Sequence, residues 1–92
     1  MSGVEVRDNP GHNRFEAEVE GHLAIAVYRL EPGVITFVHT EVPPELEGRG
    51  VGSALVRAGL ASARERGLKV VPQCPFIAAW FQRHHEDDDL LA

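Results

Sequence analysis

The sequence contains one cysteine, Cys74, among its 92 residues. A single cysteine cannot form an internal disulfide, so a disulfide-stapled secreted scaffold is excluded. The chain also lacks any run of about 18 consecutive apolar residues, which excludes a transmembrane helix. Its first five residues show neither the basic region nor the apolar segment of a signal peptide. These absences predict a cytoplasmic protein that does not associate with membranes.

Positive charge is scarce, because nine Lys and Arg stand against fourteen Asp and Glu and leave a formal charge of −5. Nucleic-acid binding, which needs a basic face, is therefore not expected. A small anionic ligand stays possible, since backbone N–H groups bind phosphate without net positive charge. No Cys/His cluster with the spacing of a metal site is present, so no metal is expected. The length excludes a TIM barrel, which needs about 250 residues, and predicts one domain over residues 1–92.

The first half of the chain reads as β-strands. Apolar and polar residues alternate in short runs, which is typical of strands with one buried face. The runs are separated by turn-forming residues such as Asn, Pro and Gly, which favour tight connections. The pattern predicts an antiparallel meander. Its four strands are expected at residues 4–8, 14–20, 23–30 and 34–42.

The second half predicts helix, strand, helix. Helical periodicity begins near Val51 and continues to about Arg66, and Gly67 is placed to end the helix. A short strand follows over residues 68–73. Cys74-Pro75 opens a last helix, with proline at its favoured first position. The residues on one arc of that helix are expected to face the core: Phe76, Ile77, Trp80, Phe81 and His84.

The acidic run at residues 86–89 is expected to be a solvated tail. The order of elements, an N-terminal antiparallel meander followed by α-β-α, predicts an α+β (mixed α/β) domain. Its helices should pack on one central sheet.

The stretch that carries chemistry is the glycine-rich loop Glu47-Gly48-Arg49-Gly50-Val51-Gly52. Glycines let a backbone approach a ligand closely, and the helix that follows directs free N–H groups and the positive end of its dipole at an anion. A P-loop is excluded, because no Lys-Ser/Thr pair follows the glycines. A dinucleotide-binding fold is excluded by chain length and by the antiparallel strands before the loop.

This loop, entered from a strand through Pro43-Pro44 and followed by Ser53-Ala54-Leu55-Val56, resembles the acetyl-CoA pyrophosphate loop of the GNAT superfamily of N-acetyltransferases. The segments His39-Thr40-Glu41-Val42-Pro43 and Val71-Pro72-Gln73-Cys74-Pro75-Phe76, with Trp80, resemble the short YjdJ-like branch of that superfamily. The resemblance spans roughly residues 13–85. It implies a minimal GNAT-like fold and acetyl-CoA as co-substrate.

The resemblance assigns coenzyme A binding to the strand end and the loop. Glu47 departs from the family pattern, which has Gln or Arg at this position, so backbone N–H groups are expected to hold the phosphates, with Arg49 or Arg57 supplying positive charge. The expected cofactor-binding residues are Val42, Glu47, Gly48, Arg49, Gly50, Val51, Gly52 and Ser53.

Three residues are candidates for acetyl transfer. In the GNAT architecture the strand before the loop and the next parallel strand splay apart, and pantetheine lies between them. The resemblance therefore implies that residues 38–42 and 73–76 line the thioester. Cys74, just before a helix N-terminus, is placed to act as a nucleophile; buried free cysteines are also common as small hydrophobes. His39 and Glu41 alternate onto one strand face with Ile35 and Phe37, and either is placed to deprotonate an amine.

The sequence leaves three functions open. The first is an N-acetyltransferase that moves an acetyl group from acetyl-CoA to an amine acceptor, either a small molecule or a peptide, directly or through Cys74. The second is a non-catalytic CoA or acyl-CoA binding module, which the missing acceptor-side elements and the absence of the family's usual tyrosine on the last helix favour. The third is a partner-binding domain. The expected oligomeric state is a monomer or a weak dimer.

Overall fold

The structure, a computed structural model, describes residues 4–92 and shows one five-stranded sheet with two helices. The elements are β1 (Arg7–Asn9), β2 (Arg14–Val19), β3 (His22–Glu31), β4 (Val34–Glu41), α1 (Val51–Glu65), β5 (Lys69–Pro72) and α2 (Pro75–Arg83). Short 3₁₀ turns occupy Pro10–His12, Pro44–Leu46 and Asp88–Leu90. The predicted meander followed by α-β-α is confirmed, although the first strand lies about three residues later than expected.

The strands stand in the order β1-β2-β3-β4-β5, and the first four pair antiparallel. β5 pairs parallel with β4, from Val34 beside Lys69 to Phe37 beside Pro72. After that pairing ends, β4 continues to Glu41 without a partner strand on its β5 side. The sheet is therefore open between β4 and the start of α2.

Both helices lie on the same side of the sheet. The Arg57 guanidinium of α1 lies 5.3 Å from the centre of the Trp80 ring of α2, and the Phe76 ring approaches Gly52 of α1. The core fills the space between α1 and the small or aromatic side chains of β2, β3 and β4, including Phe15, Tyr28 and Phe37. Among residues 4–92, no helix covers the opposite face of the sheet. We call this opposite side the free face.

The prediction for the α2 arc holds for Ile77, Trp80 and Phe81, which are buried. It is wrong for Phe76, which is 39% exposed. Phe76 lies in the first turn of α2, beyond the end of the sheet, so the ring has the N-terminal turn of α1 as its neighbour instead of the core.

The acidic run near the C-terminus is not a free tail. Arg64 of α1 donates hydrogen bonds to Asp87 and Asp89 at 2.9 Å each, while Leu90 is buried. Leu91 forms a parallel bridge with Val70 of β5. The acidic run therefore packs against α1, because Asp87 and Asp89 pair with Arg64 and the Leu90 side chain is buried at the edge of the core.

No helix among the described residues combines the length and the apolar character needed to cross a membrane. The prediction that the chain lacks a signal peptide rests partly on residues 1–3, which lie outside the described residues.

Candidate functional site

A β-bulge in β4 decides which side chains reach each face of the sheet. Phe37 pairs with Tyr28, and His39 pairs with the adjacent residue Val27, so Val38 is an extra residue. Cross-strand partners share a face, and neighbours along a strand alternate. An extra residue therefore reverses the alternation after Val38.

The reversal places Thr40 on the helix side of the sheet, opposite buried Ala26. His39 and Glu41 lie on the free face, where their side chains are 56% and 64% exposed. The prediction that they share a face with Phe37 is therefore wrong, because the pattern of the sequence does not reveal a bulge.

A cavity of about 420 Å³ lies on the helix side, at the N-terminus of α1. Seven of the eight expected cofactor-binding residues line it: Val42, Glu47, Gly48, Gly50, Val51, Gly52 and Ser53. Thr40, Leu46 and Phe76 complete the lining. The cavity thus runs from the glycine-rich loop to the open end of the sheet beside β4.

The loop backbone requires glycine at two positions. Gly48 and Gly50 both have φ of +78°, a conformation that L side chains rarely adopt, and a Cβ at either position would meet nothing within 4 Å. Gly50 is also the N-cap of α1, so the N–H groups of the first turn have no capping side chain. The backbone donors of Val51, Gly52 and Ser53 are directed toward the cavity end of the helix, as an anion site requires.

Arg49, the eighth expected residue, is directed at the β2–β3 turn instead. Its guanidinium donates two hydrogen bonds to Glu20, at 3.0 and 2.9 Å. These bonds lower the pKa of Glu20 and raise the pKa of Arg49. The guanidinium of the other candidate cation, Arg57, lies over the Trp80 ring. Arg49 therefore fastens the glycine-rich loop to the meander.

Cys74 is buried, with 3% exposure, at the N-cap of α2. Its backbone N–H donates to the carbonyl of Phe37 at 2.8 Å, which seats it beside the open end of β4. Its Sγ lies 3.3 Å from the Thr40 Oγ1, within hydrogen-bonding distance. Because Thr40 also lines the cavity, the Thr40 hydroxyl connects the Cys74 sulfur to that space.

His39 and Glu41 form a pair on the free face, with 2.8 Å between His39 Nε2 and Glu41 Oε2. The spacing of two residues along one strand brings them together, because both point to the same side. The structure thus puts Cys74 and Thr40 on one side of the β4 opening and the His39–Glu41 pair on the other.

Thr40 and Phe76 fall within the two strand ends that the sequence predicts to line the thioester, whereas the sequence reading missed Leu46 as a cavity residue. The signal of Leu46 was weak, because leucine in a loop is common for structural reasons. Within residues 4–92, no group of three or more His, Cys, Asp or Glu is arranged to hold a metal ion.

Comparisons with known proteins agree with this arrangement. Residues 14–90 match the model of a family described as GCN5-related N-acetyltransferase. The solution structure of a GCN5-like protein from Staphylococcus aureus is 32% identical, with a TM-score of 0.76 over 100% of this chain and 91% of that one. The family match covers most of the chain. The chain therefore belongs to the GCN5-related N-acetyltransferase family.

Proposed function

We propose that the protein is an acetyl-CoA-dependent N-acetyltransferase acting on an amine acceptor. The observation that carries the proposal is the cavity at the N-terminus of α1, lined by residues 47–53 and reaching Thr40 beside Cys74. A phosphate site at one end and an opening between strands at the other suit a long thioester such as acetyl-CoA. Family membership supports the same co-substrate.

In this proposal, the pyrophosphate is bound by the backbone. The free N–H groups of Val51, Gly52 and Ser53 and the positive end of the α1 dipole attract the anion. Glu47 lines the same cavity and carries a negative charge, which opposes phosphate binding. We expect Glu47→Gln to tighten acetyl-CoA binding a few-fold, and to do so less at high salt, because Glu47 is exposed.

Acetyl transfer then occurs at the opening beside β4. The neutral amine forms an N–C bond to the thioester carbon, the C–S bond breaks, and the sulfur of coenzyme A leaves with the electron pair and takes the proton that the attacking nitrogen gives up. His39, oriented by Glu41, accepts the proton that the acceptor ammonium loses before attack. The acceptor arrives from the free face, since the cavity on the helix side holds the coenzyme.

Cys74 adds a second route. In that route the Cys74 sulfur attacks the thioester carbon first, and its proton goes to the sulfur of coenzyme A, which leaves. The amine then takes the acetyl group from Cys74 and returns a proton to the Cys74 sulfur. The Thr40 hydroxyl, 3.3 Å away, orients the sulfur. A Cys74→Ala variant separates the routes: lost turnover with retained acetyl-CoA binding supports transfer through Cys74, and unchanged turnover supports direct attack. Mass spectrometry for a +42 Da adduct after amine-free incubation gives an independent readout.

The coenzyme site is tested with two matched variants. Gly50→Asp adds bulk and negative charge at the cavity, whereas Gly33→Asp makes the same change at a turn glycine with nearly the same φ, +76°. We expect acetyl-CoA to raise the melting temperature of the wild type and Gly33→Asp, and not of Gly50→Asp. A ligand shift that survives in Gly50→Asp contradicts the site, and no shift of the wild type at millimolar acetyl-CoA contradicts the function.

The alternative function, a non-catalytic CoA or acyl-CoA binding module, is favoured by the Glu47 carboxylate in the cavity and by Trp80 and Phe81 on the helix where the family usually has a tyrosine. It predicts a melting shift with acetyl-CoA and no release of free coenzyme A with any amine. Membership of the YjdJ-like branch, a cytoplasmic location and a monomeric or weakly dimeric state stay predictions from the sequence.

A further inference from the structure

The free face of the sheet carries an apolar strip that begins beside the His39–Glu41 pair. Leu23, Ile25 and Val27 of β3 point to this face, opposite buried Ala24 and Ala26, and define the strip. Leu23 is 41% exposed, and the other two are half-buried. In the described part of the chain no helix lies over them.

The strand register places acidic side chains on both sides of the strip. Glu41 pairs with Ile25 from β4, and Glu18 pairs with Leu23 from β2. Two strand spacings across the sheet and two residues along it separate Glu41 from Glu18 by about 12 Å. Glu18 also lines a polar cavity of about 290 Å³ together with Glu5, Arg7 and Glu16.

The arginines of β1 and β2 on this face do not cancel these charges, and Arg29 lies two residues beyond Val27, away from Glu18. Arg7 and Arg14 both direct their guanidinium groups at Glu16, at 3.2 and 2.7 Å. Their hydrogen bonds and that of Asn9 lower the pKa of Glu16 to about 2. The charge of Glu16 is thereby matched, and the exposed carboxylates of Glu18 and Glu41 keep the two sides of the strip negative.

We propose that the acetyl acceptor is an aliphatic diamine that lies across this strip. One amine sits at the His39–Glu41 pair, beside the β4 opening, and is the one acetylated. The methylene chain rests on Ile25 and Leu23, and the second ammonium lies near Glu18. Charge complementarity with two ammonium groups and an apolar stem distinguishes a diamine from an amino acid, whose carboxylate these acids repel.

This inference rests on the proposed function, since it names the acceptor for the same reaction. Its first test compares 1,6-diaminohexane, hexylamine and ethylamine by the rate of coenzyme A release. We expect kcat/KM to rise from ethylamine to hexylamine, by up to about fourfold for each methylene that becomes buried. The diamine should exceed hexylamine by about two- to fivefold, an advantage that high salt removes.

Two variants with matched controls locate the acceptor. Glu18→Gln should abolish the advantage of the diamine, whereas Glu65→Gln, an equivalent change on exposed α1, should not. Leu23→Ser should flatten the dependence on chain length, whereas Leu30→Ser, at the other end of β3 with 39% exposure, should not. Equal rates for hexylamine and the diamine in the wild type, or identical effects of a variant and its control, overturn the proposal.

A binding measurement keeps this test independent of catalysis. Titration of ¹⁵N-labelled protein with 1,6-diaminohexane should shift the amide signals of Leu23, Ile25 and Glu41, and Glu18→Gln should weaken that binding. Absence of such shifts, or shifts that follow protein concentration and report a second copy on the strip, overturns the inference. A missing melting shift with acetyl-CoA instead contradicts the proposed function and leaves the diamine titration to decide this inference.

Discussion

Two glycines on α1 approach a phenylalanine ring equally closely, yet their replacement by alanine should have opposite consequences. A Cβ on Gly59 would lie 2.8 Å from the Phe37 ring, and a Cβ on Gly52 would lie 2.8 Å from the Phe76 ring. Real Cβ atoms do not come this close, so one of the groups must move. The difference lies in the rings, because Phe37 is 1% exposed and Phe76 is 39% exposed.

The magnitudes follow from that difference. Overpacking a close-packed core costs about 1–3 kcal/mol, and replacing a helical glycine by alanine returns about 1 kcal/mol. Gly59→Ala should therefore lower the free energy of unfolding by up to about 2 kcal/mol, or roughly 8–16 °C in melting temperature. Gly52→Ala should leave it unchanged or raised by less than about 1 kcal/mol, because the Phe76 ring can turn into solvent. That turn changes the cavity wall, so Gly52→Ala should weaken acetyl-CoA binding and Gly59→Ala should not.

Urea unfolding followed by the fluorescence of the single tryptophan, buried Trp80, measures both effects. The Phe37→Leu background supplies the control: with the ring removed, Gly59→Ala should become stabilising by up to about 1 kcal/mol. An equal effect of Gly59→Ala in both backgrounds would refute the steric explanation. Loss of stability in Gly52→Ala as large as in Gly59→Ala would show that the exposed ring is as constrained as the buried one.

Three further outcomes are expected. Because the folded-state pKa of Glu16 is about 2 and the unfolded value is about 4.3, its contribution to stability is present above pH 4.3 and is lost as pH falls toward 2. Urea titrations should then show that the difference in free energy of unfolding between wild type and Glu16→Gln shrinks over that range. A difference that stays constant down to pH 2 would contradict this expectation. Tyr28→Phe removes a hydroxyl that donates at 2.6 Å to an aspartate of β1, and should cost about 1 kcal/mol; burial and that aspartate raise the pKa of Tyr28 to about 12, so wild-type absorbance should show this tyrosine still neutral at pH 10. Leu90→Ala should lower the free energy of unfolding by about 2 kcal/mol, because Leu90 is buried. A change below about 0.5 kcal/mol would instead support the solvated tail that the acidic sequence suggests.

The element order was predictable because the spacing of apolar residues within each segment indicates a strand or a helix. The strand β2 alternates and is bounded by turn residues, and α1 ends before Gly67, which has the left-handed φ of +68°. The cavity at the loop was equally predictable, since closely spaced glycines such as Gly48 and Gly50 directly before a helix are typical of a loop that binds a ligand. Local sequence and local structure agree at these positions, so no knowledge of the tertiary fold was needed.

Two charged side chains take positions that depend on interactions between distant residues. Glu16 alternates outward with its strand, yet it is 4% exposed because Arg7, Asn9 and Arg14 cover it. Arg49 looks like a phosphate ligand in the loop, yet Glu20 lies 29 residues earlier and takes its guanidinium. No local pattern indicates which cation will meet which carboxylate when both are on turns.

The bulge at Val38 has the largest consequence of any single feature, because two sites share the strand that follows it. Thr40 and Val42 line the cavity on the helix side, while His39 and Glu41 face the strip on the free side. Without the extra residue, the same side chains would exchange faces: the charged pair would enter the cavity where phosphate and pantetheine are expected, and Thr40 would leave Cys74. A domain of this size, with no helix on its free face in residues 4–92, thereby gains two chemically different surfaces from the last three residues of one strand, His39, Thr40 and Glu41.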